Sequence, residues 1–96
     1  MNPPDQAALE ALAEQVGDVL RSQGLRLATA ESCTGGWVSQ CLTAVAGSSD
    51  WFERGFVTYS NDAKCEMLGV PAATLAAHGA VSEATAAAMA RGALQH

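Results

Sequence analysis

Lys64 is the one lysine in this 96-residue chain, and it closes a polar run, Tyr59-Ser60-Asn61-Asp62-Ala63. A serine hydroxyl becomes a useful nucleophile only when a base takes its proton, and a lysine amine held away from water can be that base. The local spacing matches no standard Ser-Lys signature. Asn61 stands three residues before Lys64, where S-x-x-K requires serine, and Tyr59 stands five before it, so Y-x-x-x-K is absent too. Ser60 is four residues before Lys64 and could share a helix face with it, although capping the helix suits it better. Gly47-Ser48-Ser49 offers two further hydroxyls. From the residues alone, Lys64 reads as a solvated surface lysine.

A second candidate is Glu31-Ser32-Cys33-Thr34-Gly35-Gly36, a small polar stretch with a strand pattern before it and a helix pattern after it. Ligands of open α/β sheets favour the carboxyl ends of strands beside helix N-termini, where unpaired amides attract phosphate or a developing oxyanion. Gly35 and Gly36 would admit a ligand close to the backbone. The run is neither GxGxxG nor a Walker loop, and on local pattern alone an ordinary strand-to-helix turn with Thr34 as cap is the favoured reading.

Other chemistry is weakly supported. Cys33 has no histidine near it in sequence and reads as a small buried cysteine. His78 and His96 lack partners at metal-ligand spacing, and His78 is expected near a helix C-terminus. Trp37, Trp51, Phe52 and Phe56 read as core or interface aromatics.

These residues need elements to hold them. Asp5 is placed to cap a helix whose stripe is Leu9, Leu12, Val16, Val19 and Leu20, ending at Gly24. Leu25–Ala30 reads as a strand and Trp37–Ala46 as a second helix, interrupted by Gly47-Ser48-Ser49-Asp50. Phe56–Tyr59 is the second strand candidate, rich in aromatic and β-branched residues. Ser60 or Asn61 caps a helix through Leu68. Pro71 opens another to His78, and Ser82 caps a last helix to the chain end. The order α-β-α-β-α-α-α implies an α/β fold. Two strands are too few to support five helices, so the sheet is expected to be completed by further sequence or by a second chain.

Composition sets the wider limits. About half the residues are apolar (49%), so the chain folds rather than staying disordered. The net charge is −5 with no basic stripe, which argues against a nucleic-acid surface. No run of ~18 apolar residues offers a membrane span, and MNPPDQAALE lacks a signal-peptide pattern. Cys33, Cys41 and Cys65 form no CxxC pair, which fits a reduced, cytoplasmic protein.

The segments ATAESCTGGW, AGSSDWFERGFVTYSNDAK and MLGVPAATLAAHGAVSEATAAAMARGAL, in that order, resemble the CinA C-terminal domain family from about Leu25 to Leu94. The resemblance implies a layered α/β/α domain, of which residues 1–96 would be the N-terminal part. It also implies hydrolysis of nicotinamide mononucleotide to nicotinic acid mononucleotide and ammonia, without metal or organic cofactor. By resemblance, Ser49 is the nucleophile, Lys64 its base and Tyr59 a proton-transfer or positioning partner. Ser32, Thr34, Gly35, Gly36 and Ser48 would line the same pocket and hold the substrate or oxyanion. The family's domains run on beyond this chain, into a further loop and basic residues that serve the substrate phosphate. Its members' habits and the unfinished sheet imply a homo-oligomer. Two competing expectations stand beside this one: a non-catalytic, self-associating module, and hydrolysis of a different amide by the same serine.

Overall fold

Asp5 accepts a hydrogen bond from the Ala8 amide (2.8 Å) and opens helix α1, Gln6–Gln23, in the computed structural model, which describes residues 4–96. Helix α1 ends at Gly24, as its sequence signals. Strand β1 is Leu27–Glu31, helix α2 is Trp37–Thr43, and a single 3₁₀ turn occupies Ser48–Asp50. Strand β2, Phe52–Val57, precedes helices α3, Asn61–Leu68, α4, Ala72–His78, and α5, Glu83–Gln95. Among the described residues, five helices and two strands stand in the expected order, an α/β fragment.

The boundaries differ from the sequence reading in three places. Strand β1 starts at Leu27 rather than Leu25, because the Leu25 amide still closes the end of α1 on the Leu20 carbonyl (2.9 Å). Helix α2 stops at Thr43 rather than Ala46. Strand β2 starts four residues before Phe56 and ends at Val57, because pairing with β1 recruits the polar Glu53-Arg54-Gly55 that propensity alone leaves out. The Leu27 amide donates to the Trp51 carbonyl (2.7 Å) and the Thr58 amide to the Glu31 carbonyl (2.8 Å), so beginnings meet beginnings and ends meet ends. The two-stranded sheet is therefore parallel, as a strand–helix–strand connection demands.

The fold divides into two compact units. In the first, residues 4–27 and 37–54, α1 packs on α2. Ala13, Gly17, Cys41 and Trp51 are its buried residues. The inward face of α1 is thus narrower and smaller than the leucine–valine stripe suggests, with Leu12 and Val19 more than half exposed. Gly17 is the reason the indole fits: a Cβ there would stand 2.6 Å from the Trp51 ring. Gln6 ties the helix starts together, accepting from the Trp37 indole N–H (2.9 Å) and donating to Gln40 (2.7 Å).

In the second unit, residues 28–36 and 55–96, Leu68, Val70, Ala88, Met89 and Ala93 form the core. Ala28, Ala30, Phe56 and Leu75 pack against it. Helix α5 approaches α3 so closely at Gly92 that a Cβ would collide with the Leu68 carbonyl oxygen. Ser82 caps α5 through the Thr85 amide (3.2 Å), and the Thr85 hydroxyl donates to the Gly79 carbonyl (2.7 Å).

Candidate functional site

In the second unit the polypeptide leaves both parallel strands at one end, and most of the candidate residues gather there. The Glu31 carbonyl is the last acceptor of the ladder, and the chain then turns sharply, the Gly35 amide donating to the Ser32 carbonyl (3.0 Å). Gly35 and Gly36 sit at φ +62° and +108°, where side-chain-bearing residues are strained, so this turn requires glycine. The Thr34 hydroxyl donates to the Glu31 carboxylate (2.8 Å), an engagement the sequence reading of Thr34 as a helix cap does not anticipate. Glu31 is buried, so this bond helps offset the cost of taking its carboxyl out of water. Cys33 is exposed, not the buried cysteine expected. With seven residues, α2 is shorter than its sequence pattern implies, and its dipole offers correspondingly less to an anion.

From the end of β2 the chain reaches α3. Ser60 caps it, accepting from the Ala63 amide (3.0 Å), and leaves Asn61 as the first helical residue. Lys64 follows one turn later and is only 1% exposed, which corrects the reading of a solvated surface lysine. Its Nζ donates to the Tyr59 carbonyl at 3.0 Å. The same carbonyl accepts the Ser32 hydroxyl at 3.3 Å. One backbone oxygen thus gathers the amine of Lys64 and the hydroxyl of Ser32. Tyr59 itself, by contrast, is 72% exposed.

Ser48 and Ser49 lie in the first unit, on the 3₁₀ turn. The Ser48 hydroxyl donates to the Thr43 carbonyl (3.3 Å) and so extends the end of α2. Ser49 is exposed. Gly47 precedes the turn at φ +81°.

The sequence gives Glu31, Thr58 and Arg21 no individual role. Glu31 is buried at a strand end, and Thr58 is fully buried with no partner for its hydroxyl. Arg21 donates to the Gly47 carbonyl from the end of α1 (3.2 Å). A buried carboxylate or hydroxyl has no local sequence signature, and Arg21 stands 26 residues from Gly47. No group of His, Cys, Asp or Glu among the described residues has the arrangement of a metal site. An apolar groove of about 250 Å³ in the second unit is lined by Ala28, Ala30, Ala86, Ala90, Ala93 and Leu94 and contains none of the candidate polar residues.

A parallel β-α-β unit with polar turns at its strand ends, and a buried lysine amine sharing the Tyr59 carbonyl with the Ser32 hydroxyl, defines an α/β protein. The chain belongs to the CinA C-terminal domain family, whose model matches residues 9–96. It is 61% identical over 87 residues to the nicotinamide-nucleotide amidohydrolase PncC of Escherichia coli K12, covering 91% of this chain and 53% of that protein. A CinA-like protein of Chloroherpeton thalassium is 60% identical over 84 residues, covering 88% of this chain and 20% of its own. Among solved structures, the competence/damage inducible protein CihA of Agrobacterium tumefaciens superposes with a TM-score of 0.88 at 50% identity, covering 99% of this chain and 57% of its own. The chain thus spans about half the length of the curated amidohydrolase it matches.

Proposed function

We propose that this protein serves an amidohydrolase reaction on nicotinamide mononucleotide, giving nicotinic acid mononucleotide and ammonia. The observation that carries the reading is the buried Lys64 amine at the strand ends, held on the carbonyl that also receives Ser32. A lysine so withdrawn from water has no role in solubility. Without a partner carboxylate at ion-pair distance among the described residues, it does not serve as half of a salt bridge either. The identity to an amidohydrolase of this substrate class supports the same conclusion.

The roles follow the family resemblance. Ser49 Oγ adds to the carboxamide carbon while Lys64 takes its proton. The C–N bond then breaks, the proton passes to the departing nitrogen, and ammonia leaves an ester on Ser49. Water, deprotonated in turn, cleaves that ester, frees the carboxylate and restores the serine. Amides of the Ser32–Gly36 turn would steady the oxyanion, and removal of one such donor typically costs about 3–4 kcal/mol of transition-state stabilisation. Thr34, Gly35, Gly36 and Ser48 would shape the pocket, and Tyr59 would relay or position the proton. The three free cysteines fit a reducing, cytoplasmic location.

The Ser32–Tyr59–Lys64 arrangement favours a second assignment, with Ser32 as the nucleophile. Following conversion of the mononucleotide by chromatography in Ser49→Ala and Ser32→Ala distinguishes the two. Loss in Ser49→Ala with partial retention in Ser32→Ala is expected, and the opposite pattern transfers the nucleophile to Ser32. Self-association is the non-catalytic alternative, favoured by the exposure of Val81 (95%) and Leu94 (85%). It requires a mass above 9.8 kDa in solution and indifference to loss of Lys64.

A further inference from the structure

The turn bearing Ser49 is held from outside itself. Arg21, in the last turn of α1, places one guanidinium nitrogen 3.2 Å from the Gly47 carbonyl oxygen and 3.3 Å from Asp50 Oδ2. Gly47 and Asp50 are the two ends of the turn, and Ser48 and Ser49 lie between them. The Gly47 carbonyl also accepts the Asp50 amide that closes the turn (3.1 Å), so Arg21 reinforces the oxygen on which the turn depends.

Gly47 is suited to this contact twice over. Its φ of +81° is a conformation that residues with a side chain rarely adopt. A Cβ there would also stand 3.0 Å from the Arg21 nitrogen. On the other side, the Ser48 hydroxyl is tied to the Thr43 carbonyl. That leaves Ser49 as the exposed hydroxyl of a turn fastened by its neighbours.

We propose that Arg21 is a positioning residue for Ser49, fixing the Gly47–Asp50 turn from the end of α1; this rests on the reading of Ser49 as nucleophile. Stability does not explain the arrangement. Arg21 and Asp50 are 48% and 66% exposed at their side chains, and exposed pairs add little to folding. The link to Asp18, at 3.9 Å within the same helix, is weaker still. One nitrogen of the planar guanidinium meets both acceptors, in an orientation that a freely rotating lysine ammonium would hold less firmly. Reaction rates are sensitive to that kind of constraint, since misplacing a reacting group by roughly 1 Å can cost on the order of 10²-fold.

The test combines steady-state kinetics on nicotinamide mononucleotide with amide hydrogen exchange of the turn. Arg21→Ala should lower kcat roughly 10–100-fold while KM stays nearly unchanged, with faster exchange at the Asp50 and Trp51 amides. Arg21→Lys should recover part of the loss, and added guanidinium should restore part of the activity of Arg21→Ala. Asp18→Ala, which removes only the longer contact, should behave as the parent protein. Unchanged kcat and unchanged exchange in a folded Arg21→Ala protein overturn the proposal. So does a rise in KM alone, which would make Arg21 a substrate contact. Full turnover in Ser49→Ala removes the nucleophile reading and this role with it. An inactive Ser49→Ala beside a fully active Arg21→Ala removes the Arg21 role alone.

Discussion

At the scale of single residues, burial separates Lys64 and Thr58 from their neighbours. Lys64→Met keeps the length of the side chain and removes the amine. It should abolish a base contribution that is typically about 10²–10⁴-fold, while urea denaturation shows stability unchanged or raised, because an apolar replacement for a buried polar group is often neutral or stabilising. A fall in stability matching the loss of activity would make Lys64 a structural residue. Thr58 presents the opposite case. Its fully buried hydroxyl has no partner, and leaving such a group unpaired costs roughly 1–3 kcal/mol. Thr58→Val should therefore gain about 1 kcal/mol in the same titration. Destabilisation would mean that the hydroxyl is bonded in solution. None of this burial was legible in the sequence, where Lys64 has the surroundings of a surface lysine. The candidate hydroxyls and glycines were visible, because turns require particular residue types. The acceptors that gather them, above all the Tyr59 carbonyl, belong to the backbone and leave no trace in side-chain pattern.

At the scale of elements, caps and stops were the dependable signals. Asp5 and Ser82 each cap the helix they announce, Ser60 proves the cap of the Ser60–Asn61 pair, and Gly24 ends α1. Ser82→Ala should cost about 1 kcal/mol in thermal or urea unfolding. Strand edges were less legible, because β2 begins in Glu53-Arg54-Gly55, whose place in the sheet depends on pairing with β1. There Glu53 bonds to Arg54 (3.2 Å) and pairs with Arg26 (2.9 Å). The Arg54 hydrogen bond, followed by the charge of Arg26, holds the Glu53 carboxyl below its ordinary value. A carboxyl lowered by folding stabilises the folded state above its unfolded pKa, and that contribution disappears as pH falls through the folded value. Glu53→Gln should therefore remove a small part of the acid sensitivity of stability below the usual carboxylate range. An acid limb identical to that of the parent would dismiss the pairing as inconsequential, as exposed pairs often are. Helix α1 shows where periodicity misleads. Its hydrophobic stripe was legible, yet the residues that settle inward are Ala13 and Gly17, and at Gly17 the Trp51 indole leaves no room for a side chain.

At the scale of the whole molecule, α/β layering could be read from element order, and the shortage of strands was equally plain. The closeness of α3 and α5 was not, since it depends on Gly92 meeting the Leu68 carbonyl. Gly92→Ala should force the helices apart at a cost of about 1–3 kcal/mol, seen as a lower unfolding midpoint. An unchanged midpoint would show that α5 shifts freely. Family membership covers almost the whole chain, whereas the matched amidohydrolase is nearly twice as long. The claim that the buried lysine serves amide hydrolysis is therefore tested most directly by ammonia release from nicotinamide mononucleotide, comparing the purified protein with its Lys64→Met variant. Ammonia in step with nicotinic acid mononucleotide is expected from the protein, and none above background from a folded variant. Equal release from both, or none from a folded parent protein, would contradict the claim.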